Sequence, residues 1–411
     1  MVKQALARPG IGAVRAVAGG RAGLGQGLLL GALAGALWIG SRRYNGAAPQ
    51  LIDWQRVRAT ALDLAEEPTE RDVACFPGQA ALRATYTAMV RQSEELVGEY
   101  LGARLPEPLT SAERNSVRVF SGPDWIEANL IGFEQMFEPL ERLNARALRG
   151  GTVATVLFGR LNQMLLSRQL GMLLGYLSHR VLGQYDLALL GREPVSTGLL
   201  YFVDSNIEQL QIRLGLDARE FRLWIALHET THAYEFEGHP WVRDHLNGLL
   251  QSYFDSVGSD AIGMSDGVGG LVSLAGRVAG NAFRVGYPLE LVMTTEQRAI
   301  FQRMQALMCL LEGYSNHVMD QVGSRMLPSY KVMKTRWESR LRNKSAGERL
   351  VARLTGLEVK LEQYVLGERF VAEVVRQRGI TFMNRVWESA EQLPTLDEIR
   401  QPARWIARVG D

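Results

Sequence analysis

The sequence is poor in cysteine and has almost no excess of charge of one sign. Its 411 residues include two cysteines, Cys75 and Cys309, which lie far apart and show no metal-ligand spacing. They therefore form neither a disulfide framework nor a cysteine zinc site, and a reducing, cytoplasmic compartment is expected. Lys and Arg number 46 against 44 Asp and Glu, a net charge of +2. We expect no nucleic-acid partner, since such proteins carry a strongly basic surface.

Long apolar runs are also scarce, and the clearest one lies near the N terminus. The 18 residues of Gly23–Gly40 carry no charge, and Arg42 and Arg43 follow them. This length is near the lower limit for a membrane span, but six of the residues are Gly. The run is either a membrane anchor, an uncleaved signal-like segment or a helical hairpin packed on a soluble protein. We favour a soluble or peripherally attached protein, with membrane association through residues 23–40 as the alternative.

Beyond this segment the composition is that of a folded protein. Apolar residues make up 46% of the chain and charged residues 22%, values typical of globular domains. No repeat or long linker follows residue 50. We therefore divide the chain into a Gly- and Ala-rich segment, residues 1–50, and a single domain, residues 51–411. The sequence does not indicate an oligomeric state.

Histidine is scarce too, with six in the whole chain, yet two of them form a recognisable motif. His228-Glu229-Thr230-Thr231-His232 is the HExxH pattern of zinc hydrolases. Positions four apart lie one above the other on a helix, so both imidazoles can reach one metal ion. Glu229 projects beside that metal, where its carboxylate can take a proton from water. We expect His228 and His232 to bind Zn²⁺ and Glu229 to act as the general base.

The motif lies on a predicted helix with recognisable ends. Asp217 followed by Glu220 is a capping-box start, and Gly238 is a natural stop. Phe221 and Trp224 share the stripe of the two histidines, which places the histidines at a pocket wall. The competing interpretation, a surface helix with two chance histidines, explains neither the helix ends nor the stripe.

The remaining pattern is mainly helical, with one clear strand. Further helices are predicted at residues 54–65, 80–101, 124–148, 152–182, 241–254, 296–322 and 356–370. Leu199–Val203 is short, apolar and aromatic, as a buried strand is, and residues 183–186 are predicted to be a turn. A strand just upstream of an HExxH helix is typical of zincins, in which an edge strand pairs with extended substrate. The expected fold class is α+β, predominantly α-helical, with a small sheet beside the HExxH helix.

Glu312 is the candidate for a third metal ligand. A capping box, Thr294–Gln297, opens the helix on which it lies. Glu312 directly follows the apolar face formed by Leu307, Met308 and Leu311. A carboxylate in line with a core stripe needs a partner. A metal ion would be one, and a buried Arg would be another.

Several blocks of the chain, in the same order, resemble a family of bacterial zinc metallohydrolases of zincin-like fold. Members of that family are often labelled zinc-dependent metalloproteases, or as associated with deazaflavin-cofactor biosynthesis. The blocks, besides HExxH itself, are Leu51-Ile-Asp-Trp54, Val181-Leu-Gly-Gln-Tyr-Asp186, Leu200-Tyr-Phe-Val-Asp204, Pro240-Trp241, Leu311-Glu-Gly313, Val318-Met-Asp320, Gly356-Leu-Glu-Val-Lys360, Gln363-Tyr364 and Leu393-Pro-Thr395. The resemblance runs from about Leu51 to Val409 and implies a zinc site of His228, His232 and Glu312, with Glu229 as base.

The chain departs from that family at three positions. Tyr314 and His239 stand where relatives tend to have His and an apolar residue. Classical relatives with a Glu ligand carry an acid four residues after it, and here that position is Asn316. An amide can still accept a hydrogen bond from an imidazole, but it polarises the ligand less than a carboxylate does. Asn316 is therefore a candidate for orienting a histidine ligand.

Other third ligands are less suitable than Glu312. The metzincin position, six residues after His232, is Gly238, and His239 precedes a proline that biases it toward an extended conformation. His317 and Asp320 share the helix of Glu312 but lie about 140° and 80° around it. Glu312 together with two imidazoles would leave a fourth position for water, as a catalytic zinc site needs.

The sequence as a whole predicts a zinc-dependent hydrolase that acts on a peptide or small amide substrate. A further donor would have to stabilise the oxyanion, and Tyr314, Tyr234 and His317 are the candidates. The alternative function is a zinc-bearing scaffold or binding protein of the same fold that cleaves nothing. The sequence does not identify the substrate.

Overall fold

The computed structural model describes residues 49–65, 78–111, 113–147, 153–185, 198–264, 293–342 and 357–410. Cys75 and the N-terminal run at residues 23–40 lie outside these ranges, so the predictions made for them keep that status. The longer helices are α1 (Trp54–Ala65), α2 (Gln79–Leu101), α3 (Gly122–Ala147), α4 (Val153–Ser178), α5 (Asp204–Leu214), α6 (Ala218–Glu237), α7 (Trp241–Met264), α8 (Thr295–Met326), α9 (Tyr330–Arg342) and α10 (Leu357–Arg378). The C-terminal part adds short helices, α11 (Ile380–Met383), α12 (Leu396–Arg400) and α13 (Pro402–Gly410), and 3-10 turns at Asn384–Trp387 and Ala390–Gln392. Among the described residues, no helix combines the length and apolarity that crossing a membrane requires.

The described strands form one small sheet. They are β1 (Val117–Val119), β2 (Gly183–Tyr185) and β3 (Leu200–Phe202), in the order β1-β3-β2. β1 runs parallel to β3 and β2 runs antiparallel to it. The predicted α+β class with few strands is therefore confirmed. The predicted strand at Leu199–Val203 is the central one and not an edge, and the predicted turn at residues 183–186 contains the edge strand β2.

The main hydrophobic core surrounds α6 and α8. Phe221, Ala226 and Leu227 of α6 and Cys309 and Leu310 of α8 are buried in it. Both helices begin with a side-chain cap: Asp217 accepts a hydrogen bond from the Glu220 N–H at 2.8 Å, and Thr294 and Gln297 form a reciprocal capping box. Such caps satisfy N–H groups that a helix leaves unpaired at its start. The two helices are therefore fixed both at their ends and along their lengths.

Glycines bring α8 and α10 into close contact next to Glu312. A Cβ on Gly313 would lie 2.2 Å from the backbone carbon of Gly367, and a Cβ on Gly367 would lie 1.9 Å from the carbonyl oxygen of Cys309. No other residue fits at either position without moving a helix backbone. This crossing sets the position of the α8 segment that carries Glu312.

A second, smaller cluster forms an N-terminal layer of α1, α3 and α4. Ile52, Val57 and Ile126 are among its buried residues. Glycine again allows a close crossing, because a Cβ on Gly171 of α4 would lie 2.8 Å from the carbonyl oxygen of Val57 on α1. The layer joins the sheet region through buried Val203, which follows β3.

Candidate metal centre

Helix α6 presents the two motif histidines side by side. The imidazole rings of His228 and His232 have centroids 4.7 Å apart and lie at 83° to each other. Both side chains are partly exposed, while Phe221 and Leu227 on the same helix are buried. The histidines thus lie where the buried face of α6 meets solvent, so water and a substrate can reach them.

Helix α8 brings Glu312 to the same point. Its Oε2 lies 3.6 Å from Nε2 of His228 and 3.9 Å from Nε2 of His232. Within the described part of the chain, His228, His232 and Glu312 are the group whose ligand atoms, all within 4.8 Å of one another, could hold a metal ion. The three residues come from two helices and converge because those helices pack against each other in the core.

The donor set fits Zn²⁺. Two imidazole nitrogens and one carboxylate oxygen are ordinary zinc ligands, and ligands at about 2.0–2.2 Å in a tetrahedral site lie roughly 3.4 Å from one another. The separations of the Glu312 oxygen from the two imidazole nitrogens, 3.6 and 3.9 Å, exceed this by only a few tenths of an ångström. Burial disfavours a charged His232, but the nearby carboxylates, Glu235 foremost, outweigh it and raise the pKa of His232 to about 9. A cluster that attracts a proton so strongly also attracts a cation.

A buried carboxylate that our sequence analysis missed orients His232. Oε2 of Glu235 lies 2.7 Å from Nδ1 of His232, and the Ser315 hydroxyl lies 3.1 Å from both the same nitrogen and Oε1 of Glu235. A partner on Nδ1 turns Nε2 toward the ligand position, as carboxylates beside metal-binding histidines do. Spacing could have revealed Glu235, since it lies three residues after His232 and so on the same side of the helix.

Glu229 is buried and its carboxylate lies against strand β2. The backbone N–H of Tyr185 donates a hydrogen bond to that carboxylate. A Cβ at Gly183 would lie 2.8 Å from Cγ of Glu229 and 2.9 Å from its Oε1, so a larger residue there would displace this carboxylate. Burial raises the pKa of Glu229, against the opposing effect of the two histidines. A raised pKa suits a group that takes up and returns a proton.

A further network ties β2 to the end of α6. The guanidinium of Arg114 pairs with the carboxylate of Glu237, and the Tyr185 hydroxyl donates to Oε1 of Glu237 at 2.7 Å. The Tyr185 ring also stacks on Phe236 with centroids 5.9 Å apart. The main chain and the side chain of Tyr185 therefore both contact α6, which fixes the strand beside Glu229.

The three candidate oxyanion donors have partners elsewhere. The Tyr314 hydroxyl donates to Oδ1 of Asn384 at 2.6 Å, and the Tyr234 hydroxyl donates to the main-chain oxygen of Glu94 at 2.9 Å. Nε2 of His317 lies 2.8 Å from the Tyr100 hydroxyl. The structure therefore gives no support to these assignments, because a helical position does not show which way a side chain points.

Asn316 also differs from its predicted role. In the described part of the chain, Glu235 and Ser315 contact Nδ1 of His232, and no hydrogen bond joins Asn316 to either histidine. Two other candidates pair away from the cluster, since His239 stacks on Trp387 and Asp320 pairs with Lys334. The carboxylate that orients His232 is therefore Glu235, which lies on the HExxH helix itself.

The chain is similar to known proteins over most of its length. A family model of zincin-like metallopeptidases matches residues 52–406. Among solved structures, a provisionally assigned hydrolase with a novel fold from Chloroflexus aurantiacus is 40% identical and superposes with a TM-score of 0.63. That match covers 87% of this chain and 99% of the other. No curated protein matches the chain. The family match includes every described element that contributes to the cluster.

Proposed function

Because the chain belongs to the zincin-like metallopeptidase family, we propose that it is a zinc-dependent hydrolase of peptide or amide bonds. The observation that carries the proposal is the convergence of His228, His232 and Glu312, with ligand atoms within 4.8 Å of one another, next to the buried carboxylate of Glu229. These residues would bind the zinc ion and supply the base. When bound, zinc polarises a carbonyl and lowers the pKa of water toward ~7.

In the proposed reaction Glu229 moves the protons. Its carboxylate takes a proton from the attacking water and passes it to the leaving amine. The Tyr185 N–H keeps the carboxylate in one orientation throughout. Glu235 and Ser315 hold His232 with Nε2 toward the ligand position.

Strand β2 would hold the substrate main chain. The Val203 N–H donates to the carbonyl of Leu182, and Gln184 pairs with Tyr201, so these residues of the β2 segment face β3. Alternation along an antiparallel strand then turns the backbone groups of Gly183 away from β3. An extended peptide could pair with them by strand addition. This arrangement favours a peptide over a compact small molecule.

The test is Glu229→Gln in the full chain, with an unbiased peptide library as substrate. The amide keeps the shape of the side chain but cannot act as the base. We expect zinc content to remain at the wild-type level while hydrolysis falls by ~10²-fold or more. If the zinc-loaded wild type cuts no peptide or amide, the proposed activity is wrong and the protein is a zinc-binding scaffold.

A further inference from the structure

Helix α4 exposes an apolar stripe on a side that differs from the one packed against α1. Leu161, Leu165 and Met172 are exposed by 49%, 38% and 42%. Their spacing of four and eleven residues places them within about 40° of one another around the helix. The buried residues of α4, Ser167 and Leu174 among them, lie on a different side. The exposed stripe is therefore separate from the side of α4 that packs into the core.

Exposed apolar residues are concentrated in this layer. Ten large apolar side chains are exposed in the described part of the chain, and six of them belong to α1, α3 and α4. Those six are Leu64, Ile131, Leu161, Met164, Leu165 and Met172. A cluster of this kind is a sign of an interaction surface, whereas single exposed apolar residues need no explanation.

The charge on α4 is of one sign. Helix Val153–Ser178 contains two arginines, Arg160 and Arg168, and no acidic residue. Both arginines are exposed, and neither has an ion-pair partner among the described residues. Arg168 lies inside the apolar stripe, seven residues after Leu161. An exposed apolar stripe with arginines and no acids is the pattern of a helix that lies in the interface of an anionic membrane.

The first described residue of the chain lies beside this helix. The described chain starts at Pro49, and Pro49 lines a cleft together with Arg56, Arg160 and Met164. Asp53 also lines the cleft and lies 3.6 Å from Nε of Arg56. In the sequence, Gly40 at the end of the uncharged run Gly23–Gly40 precedes Pro49 by nine residues.

We infer that the exposed face of α4 docks on a membrane rich in anionic phospholipid. Leu161, Leu165 and Met172 enter the boundary between headgroups and acyl chains. Arg160 and Arg168 bind the lipid phosphates, and Arg168 reaches them by extending its side chain past the apolar stripe. None of these residues belongs to the metal centre, so the inference holds whether or not the protein is a hydrolase.

Vesicle flotation of the full chain tests this surface. The probes are vesicles of phosphatidylcholine alone and of phosphatidylcholine mixed with phosphatidylglycerol. We expect the wild type to bind the anionic vesicles more tightly, and Leu161→Glu/Leu165→Glu to lower that binding by ~10-fold or more. The matched control is Ile212→Glu/Val365→Glu, which changes two exposed apolar residues of other helices in the same way and should bind like the wild type.

A second variant measures how much the arginines contribute to vesicle binding, separately from the apolar residues. Arg160→Gln/Arg168→Gln should weaken binding to anionic vesicles, with little change on neutral ones, and added salt should reduce the difference from wild type. Circular dichroism and zinc content would establish that each variant is folded.

Three results would overturn the inference. Equal binding by all variants would mean that the N-terminal segment alone contacts the membrane. Absence of vesicle binding together with a thermal stability lowered only in Leu161→Glu/Leu165→Glu would mean that the chain's own N-terminal segment covers the face. Absence of vesicle binding with a dimer that this variant dissociates would assign the face to a second copy.

Discussion

The helices around the metal centre and the N-terminal layer use the same packing device in different settings. Gly313 and Gly367 allow α8 to cross α10 closely, and Gly171 and Gly175 allow α4 to cross α1 closely. In the core the helix is enclosed, so the crossing fixes the position of Glu312. In the layer the described residues cover one side of α4, and another side exposes Leu161 and its neighbours. A close helix crossing thus fixes a backbone without determining what its free side is used for.

The largest effect, a loss of zinc affinity, is expected from Glu312→Ala, which removes the ligand that the crossing of α8 and α10 positions. Even residues that only orient a zinc ligand change affinity by ~10–100-fold, so we expect loss of a ligand to exceed ~100-fold. Zinc competition with a chelator measures the effect on folded protein. Asp320→Ala and His239→Ala should leave zinc bound, because neither residue belongs to the cluster. Full occupancy of Glu312→Ala under that competition would falsify the ligand assignment.

A smaller effect is expected from Glu235→Gln. The amide can still contact His232 but lacks the charge that polarises the ring, so zinc affinity should fall by ~10–100-fold. Asn316→Ala is the matched control, since no hydrogen bond joins Asn316 to either histidine. If Asn316→Ala weakens zinc binding more than Glu235→Gln does, the roles of these two residues are reversed.

The two glycine crossings can be compared directly. Gly367→Ala and Gly171→Ala each force a Cβ against a neighbouring backbone, and we expect each to lower the free energy of unfolding by about 1–3 kcal/mol. Only Gly367→Ala should also weaken zinc binding, because its crossing carries Glu312. Denaturant melts and zinc titrations of both variants provide the measurement. Equal loss of zinc affinity in the two would show that the layer and the core are one coupled unit.

The smallest expected effect is a change in how stability depends on pH. Burial lowers the pKa of His317 to about 4, well below its ordinary 6.5. Between these values the unfolded chain takes up a proton that the folded protein does not, so stability falls as pH drops. The loss is about 1.4 kcal/mol one pH unit below the ordinary pKa. His317→Gln should remove this part of the pH dependence, as urea melts from pH 7 to about 5 can measure. An unchanged pH dependence would mean that folding does not shift the pKa of His317.

The candidate metal cluster could be predicted from sequence because the patterns that indicate it are local. The spacing of His228 and His232 and the caps at Asp217 and Thr294 each depend on residues within one or two helical turns. Glu312 needed one more step, the packing of two apolar stripes against each other. These features use the helical period, which a single sequence displays directly.

What could not be predicted depends on contacts between distant residues. Strand β2 has three residues, too few to show an alternating pattern, and it exists because β3 pairs with it. The direction of Tyr314 is set by Asn384, seventy residues later. The same limit applies to Ser315, which meets His232 only when α8 packs on α6. Partners so far apart in the chain leave no local signal.

Gly183 also bears on selectivity. Its backbone groups are turned away from β3, while the N–H of Tyr185, two residues later, is already bonded to Glu229. A peptide paired there would be held by main-chain atoms that every peptide possesses. Recognition through this pairing would depend little on the identity of the peptide's side chains. Main-chain recognition of this kind would accept peptides of many different sequences.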